Sequence, residues 1–257
     1  MRLGIMGAMP EEVAGIVDQI EHSQTRRIGG RDYICGAWHG HDIVVVFSRW
    51  GKVAAAATAT MLLAEFGVEG LVFIGVAGAV DPDLGIGDVV VATELLQYDM
   101  DVSAIPGYKP FDIPLLGRAR FDAHSPWVAL AEHTSREFFE HKLGDAVSAE
   151  IRGEFGFATP RVVTGLIASG DRFISDPGFL RHLRQALPDL RCVEMEGGAV
   201  AQVCFEFGVP VAVLRVISDR ADHDALVDFQ RFVSSVAAVM TAAIASGFVA
   251  ALPTAPS

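Results

Sequence analysis

Short apolar runs rich in β-branched residues recur along the chain at 3–6, 42–47, 70–74, 88–92, 162–168, 191–195 and 211–216, each bounded by glycine or charge. They are nearly continuous, not alternating, which is the pattern of strands covered on both faces. Helical patterns lie between several of them, at 11–20, 52–66, 177–186, 197–207 and 228–248, with an alanine-rich second helix. This order predicts an α/β fold: a single domain over 1–257 with a mostly parallel, twisted central sheet flanked by helices on both sides. Phe66-Gly67-Val68 and Phe207-Gly208-Val209 read as helix ends with glycine just past the last turn.

Residues 105–160 break the rhythm. They hold Pro106, Pro110, Pro114 and Pro126, a helical pattern over 126–143 and a polar stretch around 148–155. The segment is expected to elaborate the same domain. The final apolar stretch, 233–252, is charge-free and nearly of membrane length. Its alanine and serine content, and the charged segment from Asp222 to Arg231 before it, favour a packed C-terminal helix.

Composition narrows the function. The chain is 51% hydrophobic and 20% charged, enough for a sizeable core. Net charge is −12 with no basic run, so a nucleic-acid partner is not expected. Cys35, Cys192 and Cys204 are an odd number without C-x-x-C spacing and read as buried thiols of a cytoplasmic protein. The glycine-broken start is too short for a signal peptide.

Candidate chemistry gathers where strands end, the usual place for ligands in such sheets. Gly7-Ala8-Met9-Pro10-Glu11-Glu12 leaves the first strand for a helix. Its glutamates suit a helix N-terminus whether or not they do chemistry. Gly75-Val76-Ala77-Gly78-Ala79 allows close backbone approach to a ligand. Val193-Glu194-Met195-Glu196-Gly197-Gly198 sets two carboxylates at the end of an apolar strand, where burial is costly unless they are used. The alternative is one glutamate in solvent and the other capping the next helix. Leu214-Arg215-Val216-Ile217-Ser218-Asp219 supplies an arginine and an aspartate that could join them. Asp99 and Asp101 lack a histidine or third carboxylate at ligand spacing, so neither a metal nor a cofactor is expected.

Gly-Ala-Met-x-Glu-Glu, Gly-Lys-Val-Ala-Ala-Ala, Ser-Gly-Asp-x-Phe-Ile, Val-Glu-Met-Glu and Ile-Ser-Asp occur in this order. Together they resemble the 5′-methylthioadenosine/S-adenosylhomocysteine nucleosidases of the nucleoside phosphorylase superfamily. The resemblance implies hydrolysis of the N-glycosidic bond of adenine nucleosides with modified 5′ groups. Glu12 then matches the glutamate that activates water, helped by Glu196 and Arg215, and Asp219 matches the acid at purine N7. Phe173 stacks on the base, the Ile174 backbone reads its edge, Met195 lies under the ribose and Glu194 supports the strand end. Met9, Trp50, Val76, Ala77, Gly78, Ser218 and Phe229 complete the implied substrate site.

Two departures accompany the resemblance. Val76 stands where the family often has a small hydroxyl residue. Trp50 replaces a smaller apolar residue near the 5′ group and either narrows that pocket or turns into the core. Related phosphorylases carry arginines for phosphate where this chain has Phe73-Ile74 and Met9-Pro10-Glu11, which favours water as nucleophile. Phosphorolysis of a purine nucleoside and catalytically silent nucleoside binding remain open, as does a 6-aminofutalosine-like substrate. The family resemblance also implies a homodimer, with Val102, Ile105, Pro106, Phe111 and Pro114 near the partner and Asp99 and Asp101 close to that interface.

Overall fold

The computed structural model describes residues 1–157, 159–221 and 225–254. Asp222, the first residue of the expected charged segment, lies outside them. Ten strands appear in chain order: β1 Arg2–Gly7, β2 Glu21–Ile28, β3 Arg31–Trp38, β4 His41–Phe47, β5 Gly70–Ala79, β6 Val89–Gln97, β7 Arg120–Asp122, β8 Val162–Ser169, β9 Leu190–Glu194 and β10 Val211–Asp219. The helices are α1 Pro10–Val17, α2 Lys52–Ala64, α3 Ser125–His141, α4 Leu143–Ala146, α5 Ala149–Glu154, α6 Pro177–Ala186, α7 Gly197–Phe207, α8 Ala225–Phe232 and α9 Ala238–Ala251. A π-helical turn, Val233–Ala237, joins the last two.

All ten strands form one sheet in the order β10-β6-β8-β9-β5-β1-β4-β3-β2, with β7 beside β6. Because β10 also pairs with β5, the strands β5, β10, β6, β8 and β9 close into a ring. The expectation of a mostly parallel sheet is corrected. Five pairings are parallel, among them β1 with β4 and β5 and β10 with β5. Five are antiparallel. One source of the difference is the β2–β3–β4 meander, whose first turn, Gly29-Gly30, has both residues at positive φ as a tight hairpin requires. The others are antiparallel closure of the ring and the short β7 beside β6.

The central strand β5 is buried along its whole length, which explains its continuous apolar run. Helix α9 packs on both α1 and α3, and α2 packs on α7. The segment expected as an elaboration contributes β7 to the sheet edge and α3 to the packing over β6 and β8. The helical stretch 225–251 is long and apolar enough to cross a membrane by length and composition. In this fold Met240, Ile244 and Phe248 are buried, and the stretch packs against α1 and α3. At the α1–α9 contact a Cβ on Gly15 would meet the Ala242 methyl at 2.8 Å, so the close approach needs glycine. Cys192 and Cys204 are buried as expected, whereas Cys35 is only partly so.

Gly208 ends α7 in the left-handed region (φ 67°, ψ 32°), and no atom lies within 4 Å of where its Cβ would sit. Gly208→Ala therefore isolates backbone strain, and urea unfolding is expected to show a loss of about 1–2 kcal/mol. An unchanged midpoint would contradict this reading of the helix end.

Candidate active site

Four strand ends and one helix start converge on a cavity of about 310 Å³, within the size range of small-molecule sites. From the exit of β1 and the start of α1 come Ala8, Met9 and Glu12; from β5 come Val76, Ala77 and Gly78. The ends of β9 and β10 add Glu194, Met195, Glu196, Ser218 and Asp219. Trp50, Phe173, Ile174 and Phe229 close the sides.

Glu12 is 2% exposed. Its Oε2 accepts from the Ala8 and Met9 amides (2.6 and 3.0 Å), and its Oε1 accepts from the Val76 amide (2.9 Å). The bond to Met9 is the reach-back to the N-cap typical of the third helical position. Thus the helix-terminus reading of this glutamate holds, and the same carboxylate also faces the cavity. Desolvation raises its pKa, opposed by the Arg215 charge and the three amides. Room for it comes from Gly75, where a Cβ would lie 2.4 Å from Oε1. Thr241 of α9 fixes the helix from behind by donating to the Glu12 carbonyl at 2.9 Å.

Glu194 and Glu196 are both buried, so neither points to solvent. Glu194 accepts through Oε2 from the amides of Gly197 (2.7 Å) and Glu196 (3.2 Å), capping α7. The same oxygen accepts from Arg215 Nη2 at 2.7 Å, while Oε1 accepts from the Ser169 hydroxyl. Ser169 in turn accepts from the Gly198 amide (2.6 Å). Glu196 accepts from the Gly51 amide at 2.8 Å. Burial, then the neighbouring Glu194 charge, pushes its carboxyl up to about 8.

Arg215 stands apart from the other expected site residues. It does not line the cavity. Its guanidinium is 1% exposed, lies 4.1 Å from the Phe73 ring centre, and donates to Glu194 and to the carbonyls of Phe73 and Leu214. These partners place the guanidinium behind the Glu194 carboxylate, which does line the cavity. Asp219 accepts from the Ala221 amide (2.8 Å) and from the Ser218 hydroxyl (2.9 Å). A register shift in the β10–β5 pairing falls between Ile217 and Asp219, the kind of bulge that re-aims a side chain. Gly78 leaves the space, since its Cβ would meet Asp219 Oδ1 at 2.8 Å.

Trp50 is 59% exposed and lines the cavity, so it is not turned into the core. It meets Phe229 edge-on at 6.3 Å, and Phe229 meets Phe173 edge-on at 5.5 Å, giving an aromatic rim. The loop carrying Trp50 is fixed by contacts that sequence reasoning missed. Lys52 Nζ pairs with Asp99 (2.5 Å), the Lys52 amide donates to Asp171 (2.8 Å), and the Asp171 amide donates to Asp99 (2.8 Å). Asp99 thus ties two loops together. Ala8, Arg172, Val193, Ala221 and Leu226 also line the cavity without having been singled out. Leu226 had a signal: it lies one helical turn before Phe229.

Comparison with known proteins agrees with this geometry. The model of the phosphorylase superfamily matches residues 2–250. The 5′-methylthioadenosine/S-adenosylhomocysteine nucleosidase of Shewanella halifaxensis is 33% identical over 91% of this chain and 92% of its own. The Neisseria meningitidis nucleosidase of the same name, solved with methylthio-immucillin-A, superposes with a TM-score of 0.86 at 29% identity, covering 98% of this chain and 99% of that one. A futalosine hydrolase mutant of Helicobacter pylori gives a TM-score of 0.85 at 32% identity, covering 98% and 100%. With its strand-end carboxylates and near full-length match, this chain belongs to the 5′-methylthioadenosine/S-adenosylhomocysteine nucleosidase family of the phosphorylase superfamily.

Proposed function

We propose that the protein hydrolyses the N-glycosidic bond of adenine nucleosides with modified 5′ groups, 5′-methylthioadenosine and its relatives, releasing adenine. The observation that carries this reading is that Glu12, Glu196 and Asp219 line one cavity. Breaking an N-glycosidic bond builds positive charge on the ribose while the leaving purine needs a proton. Asp219 delivers or shares that proton at the base. Glu12 directs water to the sugar, with Glu196 and the ribose hydroxyls completing the water's surroundings. Arg215, through Glu194, keeps the acidic end in place. Phe173 stacks on the base beside the Ile174 backbone, Met195 lies under the ribose, and Met9, Trp50 and Phe229 meet the 5′ side. Val76, Ala77, Gly78 and Ser218 form the wall against which the nucleoside rests.

Water is the nucleophile because the sugar end is built of carboxylates. A phosphate dianion there would face the Glu12 carboxylate, while the Arg215 guanidinium is already engaged by Glu194. The chain works as one domain in the cytoplasm, consistent with its three free thiols. It pairs as a homodimer, supported by the apolar side chains of Ile105 and Leu115 exposed on the proline-rich segment.

Asp219→Asn tests the acid. Adenine release from 5′-methylthioadenosine is expected to fall by about 10²–10⁴-fold, the usual worth of a general acid. Near-normal release would reject that role. A second test uses the Glu196 carboxyl, which folding holds protonated up to about 8. Its raised pKa contributes stability that is complete below the ordinary carboxylate value of 4.5. That contribution is lost as pH rises through the folded value near 8. Glu196→Gln, which cannot ionise, should lose less thermal stability than the unsubstituted protein between about pH 4 and about pH 9, which bracket this window. Parallel Tm–pH curves would contradict the shift.

A further inference from the structure

A second, broader groove of about 710 Å³ opens beside the cavity and shares Ala8, Met9, Trp50 and Phe229 with it. Trp50 and Phe229 stand at the junction, so a substituent leaving the ribose at its 5′ end has this groove as its continuation. The groove's character differs from that of the first cavity. Its only cation among the described residues is Arg49, and Gln230 and Ser234 add neutral polar groups on the facing helix.

Arg49 is held unusually. Its φ is +72°, a region that L side chains rarely adopt, and the next glycine, Gly51, follows at +93°. Its side chain donates from Nη2 to the Gly30 carbonyl at 2.8 Å, and among the described residues it forms no ion pair, with Glu11 of the same groove or any other. The guanidinium therefore keeps N–H groups for another acceptor. Strained backbone kept in place beside a ligand cavity points to use of the side chain it presents.

We propose that this groove receives the 5′ substituent and that Arg49 selects substituents ending in a carboxylate, making it a specificity residue for the reaction proposed above, on which this inference rests. A guanidinium recognises a carboxylate with two parallel N–H bonds that an alkyl terminus cannot accept. In a chain of net charge −12, the Arg49 guanidinium is the feature of this groove that admits an anion.

The test compares adenine release from 5′-(3-carboxypropylthio)adenosine with that from its neutral counterpart 5′-butylthioadenosine. The kcat/KM ratio of acid to alkyl is expected to be about tenfold, a modest value for a charge pair open to solvent. Arg49→Gly suits the left-handed backbone and removes the guanidinium together with its bond to Gly30, and unchanged release from 5′-methylthioadenosine checks that the loop keeps its place. The substitution is expected to bring the ratio close to one, mainly through KM for the acid, with Arg49→Lys falling between. The high ratio should also shrink as salt is raised. A ratio near one in the unsubstituted protein, or a high ratio that survives Arg49→Gly, would overturn this inference while leaving the nucleosidase reading intact. No adenine from either compound or from 5′-methylthioadenosine would overturn that reading and this inference together.

Discussion

A single buried arginine balances the acidic end of the cavity, and the rest of the site depends on that balance. Glu12, Glu194 and Glu196 gather around Arg215, which is 1% exposed. Removing charges from water costs several kcal/mol per ion unless each is paired or neutralised. Glu194 meets this demand through Arg215, Ser169 and the amides at the start of α7. Glu196 meets it by holding a proton, and Glu12 by accepting from three amides. One cation, one held proton and the backbone amides together permit three carboxyl groups in a region that would otherwise expel them.

The sheet supplies the geometry for this cluster. Strand β5 pairs with β1, β9 and β10, so the chain segments carrying Glu12, Glu194 and Asp219 all reach the same strand. Gly75 and Gly78 on that strand leave the volume that the Glu12 and Asp219 carboxylates occupy. A side chain at either glycine would collide with a carboxylate before it met any nucleoside. Backbone register, glycine placement and acid placement therefore act as one arrangement, with the purine end near Asp219 and the sugar end near Glu12 in the proposed mechanism.

Much of this was legible because the apolar runs of β1, β4, β5, β6, β8, β9 and β10 are unusual enough to read directly. The hairpin strands β2 and β3 were not read. Glu21–Ile28 is polar and almost wholly exposed, so hydrophobic periodicity carries no trace of it. Gly29-Gly30 was the available signal. Strand direction was misjudged for a related reason: alternating strands and helices suggest parallel crossovers, but local sequence says nothing about β10 closing onto β6 or β9 onto β5. In the site, Glu194 and Glu196 stood out because carboxylates in an apolar strand end conflict with burial. Arg215 was also noticed, yet its place behind the cavity depends on the rotamer and on the Phe73 ring beneath it. The contacts of Asp99, Ser169, Lys52 and Asp171 join residues distant in sequence, and the motifs that hold these residues do not show which partner each one meets.

The choice of nucleophile follows from this electrostatic arrangement, and the dependence of adenine release on inorganic phosphate tests it most directly. With 5′-methylthioadenosine as substrate, the rate should be the same in phosphate-free buffer as at millimolar phosphate, and the sugar product should be the free reducing sugar. A rate that rises with phosphate, with the sugar recovered as its 1-phosphate, would contradict the account.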